Sequence, residues 1–80
     1  MAGGPIIAVP MPQHSHAQLT IYDPSGRRVA TLVDEVRDAG PNEVMWNGTN
    51  DSGNPLATGV YFYRLNVRNE VITKKPLLLK

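Results

Sequence analysis

Residues 46–65 read WNGTNDSGNPLATGVYFYRL, and this stretch decides the fold. It opens on the single tryptophan, Trp46, crosses a loop rich in Gly, Asn and Pro, and ends in an aromatic and β-branched run that favours a strand. Side chains alternate between the two faces of a strand, so Tyr61, Tyr63 and Leu65 share one face. We predict that this face lies in the core with Trp46.

Outward from this stretch, the chain is a series of short alternating segments separated by glycines and prolines. No window keeps helical spacing of apolar residues over three turns, and short strands with turns between them are typical of a sandwich or small barrel. Residues 34–42 are expected to form a polar connection, with room for a seventh strand within 31–36. The predicted strands cover residues 6–9, 17–23, 27–33, 43–47, 59–68 and 71–79.

The alternation also predicts which side chains are buried and where the backbone turns. Residues 23–26 read Asp-Pro-Ser-Gly, a hairpin turn signal, and residues 69–70 mark a second tight reversal. The turn glycines are Gly26, Gly48, Gly53 and Gly59. The predicted core consists of Ile7, Val9, Leu19, Ile21, Val29, Leu32, Val44, Trp46, Leu56, Tyr61, Tyr63, Leu65, Leu77 and Leu79.

Size and composition exclude several classes of protein. Eighty residues make one domain, which we place at 6–80 after a flexible leader at 1–5. Eight Lys and Arg against seven Asp and Glu give a net charge of +1, which is too balanced for a nucleic-acid partner. No apolar segment approaches the ~20 residues of a membrane span. There is no cysteine, so disulfides are excluded. We expect the isolated domain to be a monomer.

Two groups of side chains could bind a metal, and each has a simpler interpretation. His14 and His16 lie at alternate positions and could share an ion, but no third ligand is evident, so solvent-exposed loop histidines are favoured. The loop after Trp46 is rich in the oxygen ligands that calcium prefers, yet only Asp51 is charged. The favoured interpretation is that these side chains form Asx turns and accept hydrogen bonds from the backbone of the loop itself. We predict no metal and no cofactor.

No arrangement of serine, histidine and acid suggests a nucleophile, and we predict that the chain is not an enzyme. Tyr61, Phe62 and Tyr63 cannot form one stacking platform, because neighbours on a strand face opposite ways. A buried tyrosine can instead bond its hydroxyl to the backbone, as in the tyrosine corner of sandwiches. Lys74 and Lys75 protect an edge strand or belong to a recognition tail.

The ordered set LTIYDPSGRRVATLVDE, AG, VMWNGTNDSGNPLATGVYFYRL and TKKPLLLK resembles one family. It is the immunoglobulin-like C-terminal domain shared by type IX secretion cargo and the flagellar hook-capping protein. The resemblance covers residues 6–80 and implies an all-β fold, a small immunoglobulin-like antiparallel β-sandwich of about seven strands. Two departures are the lack of an Asn-Pro-rich opening and Pro76, where family members commonly carry Met or another apolar residue.

The resemblance implies a C-terminal sorting and anchoring domain of a larger protein, secreted or held at the surface of a Gram-negative bacterium. Its partners would be secretion or cell-surface machinery, and its recognition tail would be Lys74, Lys75, Leu77, Leu78, Leu79 and Lys80. A first alternative is a structural assembly module like that of the hook-capping protein, which would bind filament subunits. A second is a carbohydrate-binding sandwich, for which Tyr22 and Phe62 are the only outward aromatics.

Overall fold

The computed structural model describes residues 4–80, and this part of the chain is all-β without a helix. The predicted all-β sandwich is confirmed, with six strands where about seven were expected. Residues 1–3 of the predicted leader lie outside the described residues, and Pro5 accepts a 3.0 Å hydrogen bond from the backbone N–H of Trp46. The strands are β1 (Ile6–Ala8), β2 (Ser15–Tyr22), β3 (Arg28–Arg37), β4 (Glu43–Met45), β5 (Gly59–Val67) and β6 (Glu70–Leu79).

Two antiparallel sheets make up the sandwich. The larger has four strands in the order β3-β2-β5-β6, and the smaller pairs β1 with β4. Backbone bonds lengthen the smaller sheet, because Val9 donates to Asn42 at 2.8 Å and Met11 and Gly40 exchange bonds at 2.9 Å. This short second layer therefore covers the aromatic face of β5 with more apolar side chains than its strand lengths suggest.

The β2–β3 pairing contains two irregularities, and they decide which side chains of β3 are buried. Opposite β2, the register skips Leu32 and then Val29, so each is an extra residue in β3. Both pack against the core but are only partly buried, whereas Ala30 and Val33 are buried. Extra residues of this kind change the parity of a strand, so the predicted core residues Val29 and Leu32 lie at the margin of the core while Ala30 and Val33 lie inside it.

The core lies between the sheets and centres on Trp46, which is fully buried. Met11 and Ala17 join it, although the sequence pattern did not select them. Val67 joins it too, as the alternation of β5 predicts from the face of Tyr61, Tyr63 and Leu65. Thr20 is also buried, at 3% exposed, despite lying on the outward parity of β2. The buried apolar residues are Ile7, Val9, Met11, Ala17, Leu19, Ile21, Ala30, Val33, Trp46, Tyr61, Tyr63, Leu65, Val67 and Leu79.

Several predicted boundaries are wrong: β2 begins at Ser15 and not at residue 17, and β4 ends at Met45 and not at residue 47. The polar connection expected at 34–42 begins later, because residues 34–37 continue β3 and pair with Ser15 to Gln18 of β2. The expected seventh strand is thus the second half of β3. The last hairpin turns at Arg68 and Asn69, one residue early, with φ of 53° and 67°. Two consecutive positive φ values give the tight turn that fits strand twist.

Candidate functional site

Two buried aromatic side chains, Trp46 and Tyr61, donate hydrogen bonds to the loop between β4 and β5. Trp46 and Tyr61 meet edge to face, with ring centroids 5.2 Å apart and an interplanar angle of 80°. The Trp46 indole N–H donates to the carbonyl of Thr49 at 3.0 Å. The Tyr61 hydroxyl donates to the carbonyl of Ala57 at 2.7 Å, which is the backbone bond that the sequence suggested. Both rings are therefore buried without an unsatisfied polar atom.

The oxygen-rich part of this loop satisfies its own backbone. Asn47 Oδ1 accepts from the N–H and hydroxyl of Thr49, at 3.2 and 2.7 Å. Asn50 Oδ1 accepts from the N–H groups of Ser52 and Asn54, both at 3.0 Å. Within residues 4–80, no group of three or more His, Asp or Glu side chains is placed to hold a metal ion. The amide oxygens act as turn formers, as the Asx interpretation expects.

Asp51 ties the loop to the larger sheet, a role that the sequence pattern did not reveal. Its carboxylate accepts from the backbone N–H of Thr31 at 2.9 Å, and its own N–H donates to Val29 at 3.1 Å. These are edge groups of β3 next to its two extra residues. The loop thereby occupies part of an open sheet edge.

We expect Asp51→Ala to lower the free energy of unfolding by about 1 kcal/mol, because Thr31 loses its acceptor. Asp51→Asn keeps an acceptor oxygen of the same reach and should cost clearly less. Urea denaturation followed by tryptophan fluorescence would measure both, since Trp46 is retained. Equal losses in the two variants would show that the carboxylate bond to Thr31 does not hold the loop.

The predicted turn glycines all have positive φ: 91° at Gly26, 78° at Gly48, 85° at Gly53 and 146° at Gly59. Gly48 is also buried, and a Cβ built there would lie 2.9 Å from Cδ1 of Leu79. A Cβ at Gly53 would meet nothing within 4 Å. Gly48 therefore lets the loop approach the last strand closely, which the sequence does not show.

Gly48→Ala should destabilise the domain by about 1–3 kcal/mol, from backbone strain plus the contact with Leu79. Gly53→Ala has a similar φ and open space, so it serves as the matched control for strain alone. The difference between the two melting temperatures measures the contact. If Gly53→Ala were as destabilising as Gly48→Ala, the contact with Leu79 would carry no cost.

The two histidines do not meet at one site. His14 Nδ1 lies 2.9 Å from Asp38 Oδ1, and His16 Nε2 lies 2.7 Å from Asp34 Oδ1. Each is a separate exposed pair across the β2–β3 end of the larger sheet. Their partners are aspartates that the sequence reading assigned to a connection, and the arrangement favours surface pairing over a shared ion.

The expected recognition tail occupies the second half of strand β6 and ends at Lys80 after it, and β6 forms one edge of the larger sheet. Leu79 is buried at 6% exposed, and Leu77 is partly buried and packs against the core. Leu78 is 51% exposed, and Lys74, Lys75 and Lys80 are exposed. The tail is thus divided between residues that complete the core and residues that face outward. Lysines on an exposed edge also oppose pairing with other strands.

A cavity of about 370 Å³ lies on the outer side of the larger sheet, against the β2–β3 turn. Tyr22 and Phe62 are register partners on adjacent strands, and Arg64 and Lys74 are register partners one row further. The guanidinium carbon of Arg64 lies 4.9 Å from the centre of the Tyr22 ring. The cavity is lined by Tyr22, Asp23, Pro24, Gly26, Phe62, Tyr63, Arg64 and Lys74.

The turn that walls this cavity is fixed by Asp23. Its Oδ1 accepts from the N–H and hydroxyl of Ser25, at 2.9 and 2.6 Å, and from the N–H of Arg27 at 3.0 Å. The Ser25 hydroxyl bond, followed by the Arg27 backbone bond, lowers the pKa of Asp23 from its ordinary value of 3.8. At neutral pH the carboxylate is therefore charged, and its Oδ1 is engaged in hydrogen bonds within the turn.

The FlgD Ig-like domain family matches residues 3–70. No curated protein matches the chain. Among solved structures, FlgD from P. aeruginosa superposes with a TM-score of 0.70 at 22% identity, over 92% of this chain and 60% of that chain. The chain therefore spans about three fifths of that protein's length, and the likeness is one of fold. No helix among residues 4–80 could cross a membrane.

Proposed function

Because the chain belongs to the FlgD Ig-like domain family, we propose that it is a non-catalytic structural module that takes part in assembling a flagellar hook or a similar filament. The family match over residues 3–70 carries this proposal. The fold shared with FlgD from P. aeruginosa supports it. Its partners would be the filament subunits, and its place of action would be outside the cell as part of a larger protein.

The polar loop and the outer face of the larger sheet differ in a way that agrees with a structural role. In the polar loop next to Trp46, side-chain oxygens accept hydrogen bonds from the backbone of the loop and of β3. Few of them remain to act on a substrate. The outer face of the larger sheet instead carries exposed apolar and cationic side chains. A surface of that kind suits contact with another protein more than transformation of a small molecule.

Sorting for type IX secretion, expected above as the leading function, receives no support from the comparisons. The family match ends at residue 70, before Lys74 to Lys80. Leu79 in addition completes the core, so part of the supposed recognition tail has a structural duty. Hook-type assembly, the first alternative, is better supported and becomes the proposal.

The test is whether the isolated domain binds purified hook subunits of a flagellated bacterium. We expect the sedimentation coefficient of the labelled domain to rise when subunits are added. An unrelated immunoglobulin-like domain of similar size is the control. If the domain sediments as a monomer with and without subunits while remaining folded, the assembly proposal fails.

A second experiment addresses sorting directly. A reporter fused to the chain is expressed in a host with type IX secretion, with and without Lys74→Gln and Lys75→Gln together. Substitution is preferable to removing residues 74–80, because truncation would also delete buried Leu79. Export that requires the lysines would restore the sorting function, and export indifferent to them would exclude this recognition tail.

A further inference from the structure

The outer face of the larger sheet has cations that the domain itself does not neutralise. Arg64 and Lys74 lie opposite one another on β5 and β6, and neither forms a salt bridge within residues 4–80. Arg64 Nε is buried and has no hydrogen-bond partner among the described residues. The described residues therefore supply neither an acceptor for this nitrogen nor a counter-charge for the guanidinium, which lines the cavity with its charge unpaired.

The charges around the cavity favour an anion. Asp23 is the acidic residue in the lining, and its Oδ1 already accepts from Ser25 and Arg27. Arg27 also lies close enough to interact with that carboxylate. Arg64 and Lys74 therefore remain as the uncompensated pair, and a guanidinium with an ammonium beside it can bind one carboxylate.

Apolar side chains lie on one side of the cationic pair, in the next two rows of β5 and β6. Phe62 lies beside Tyr22 and opposite Pro76, and Val60 lies opposite Leu78 at the next row. Val60 and Leu78 are large apolar side chains that lie on the outer face half exposed, at 50% and 51%. Such a face would bind an anion that is attached to apolar groups better than a free, strongly hydrated one.

We propose that this cavity is a docking site for an acidic side chain of a protein partner, with Arg64 and Lys74 binding the carboxylate and Phe62, Pro76, Val60 and Leu78 contacting apolar neighbours of the acid. The proposal rests on the proposed function in taking the partner to be a protein. It gives that module a defined contact: an Asp or Glu of the partner beside a large apolar residue.

A sugar is a poorer fit to the same aromatics. Tyr22 and Phe62 are adjacent, as a carbohydrate-binding face requires, but the guanidinium of Arg64 lies over the Tyr22 ring at 4.9 Å. The ring is therefore already in a cation–π contact, and this contact also positions Arg64. A carboxylate can bind Arg64 without displacing it from the ring.

The experiment is an NMR titration of the isotopically labelled chain with the capped tripeptide Ac-Leu-Glu-Leu-NH2. We expect saturable shifts at the backbone amides of Tyr22, Phe62 and Arg64, and binding that weakens as NaCl is raised. The capped peptide Ac-Leu-Gln-Leu-NH2 should bind at least about tenfold more weakly, since it lacks the charge. Equal binding of the two peptides, or shifts confined to other residues, would overturn the proposal.

Lys74 and Lys75 provide a matched pair of variants, because both are exposed neighbours whose register partners are outward Arg64 and inward Tyr63. Lys74→Gln should weaken binding of the Glu peptide several-fold, and Lys75→Gln should leave it unchanged. Arg64→Gln should abolish it, with dispersed spectra confirming the fold. Equal effects of the two lysine variants would indicate attraction by net charge alone and contradict the site.

Three further outcomes distinguish failure of the site from failure of the assembly function. Inorganic phosphate that gives the same shifts at equal or lower concentration would mean a general anion site and overturn the assignment to a protein carboxylate. Binding of the Glu peptide together with no binding of hook subunits would refute the assembly function and leave this site standing. Binding of hook subunits that is unchanged by Arg64→Gln would refute the site as the contact and leave the assembly function standing.

Discussion

Trp46→Ala is expected to unfold the domain. The side chain is fully buried, meets Tyr61 edge to face and donates to Thr49, so truncation leaves a large cavity and an unbonded carbonyl. Such a change costs about 3–5 kcal/mol. Eighty residues at typical stability per residue give roughly 4–12 kcal/mol in total. A domain this small buries a limited core and lies towards the lower end of that range, where the loss removes most or all of the stability. The variant lacks the only tryptophan and so has no tryptophan fluorescence. Its unfolding is therefore measured by far-UV circular dichroism during heating.

Trp46→Phe is the control for volume. It keeps an aromatic ring against Tyr61 and loses the indole N–H, so we expect a folded protein with a lowered melting temperature. A Trp46→Ala variant that melts within a few degrees of the parent would contradict the central place of this residue in the core. If alanine and phenylalanine were equally destabilising, the bond to Thr49 would outweigh the packing.

Leu79→Ala is expected to have the second-largest effect, although it changes the penultimate residue. Leu79 is buried at 6% exposed and lies against Gly48, so its truncation should cost about 2–4 kcal/mol. The physical reason is a cavity between the last strand and the loop after Trp46. Urea denaturation followed by fluorescence of Trp46 would measure it.

Leu78→Ala is the matched control, because the neighbouring leucine is 51% exposed on the opposite face. Its effect on stability should lie within about 0.5 kcal/mol. Leu78 also lies on the proposed docking surface, so this variant should lose binding more than stability. Equal destabilisation by the two substitutions would mean that β6 is not seated as described.

The sequence was a good guide where alternation and turn chemistry act alone. Tyr61, Tyr63 and Leu65 lie on one buried face of β5, and this follows from the period of a strand. The Asp23 turn was readable because Asp, Pro, Ser and Gly each have a defined preference there. These signals are local, so they need no knowledge of which strands pair.

Long-range pairing was beyond the pattern. Residues 34–37 are polar and exposed on most positions, yet they form strand because the backbone pairs with β2. Met11 follows a proline, and it is buried where its backbone pairs with that of Gly40 beyond the ends of β1 and β4. The parity of β6 changes where its register with β5 shifts between Leu65 and Asn66. Hydrogen bonds between distant segments produce no periodic pattern of apolar residues, so the sequence pattern could not predict them.

The candidate site was only partly predictable. Phe62 and Tyr22 could be assigned to the outside, but their adjacency depends on the β2–β5 register. Lys74 was singled out as part of a tail, whereas its position opposite Arg64 comes from the last hairpin. A row of outward residues drawn from three strands has no linear signature, and only the folded sheet brings it together.

The seating of the two chain ends has a mechanical consequence. Gly4 lies against the carbonyl of Trp46, and Leu79 lies against Gly48, so both ends emerge at the same end of the sandwich. A pull applied between Gly4 and Lys80 would load the outermost bonds of each ladder one at a time, as in opening a zip. We therefore expect a low rupture force in single-molecule stretching, and a domain suited to hanging from a scaffold as a side arm better than to carrying tension through it.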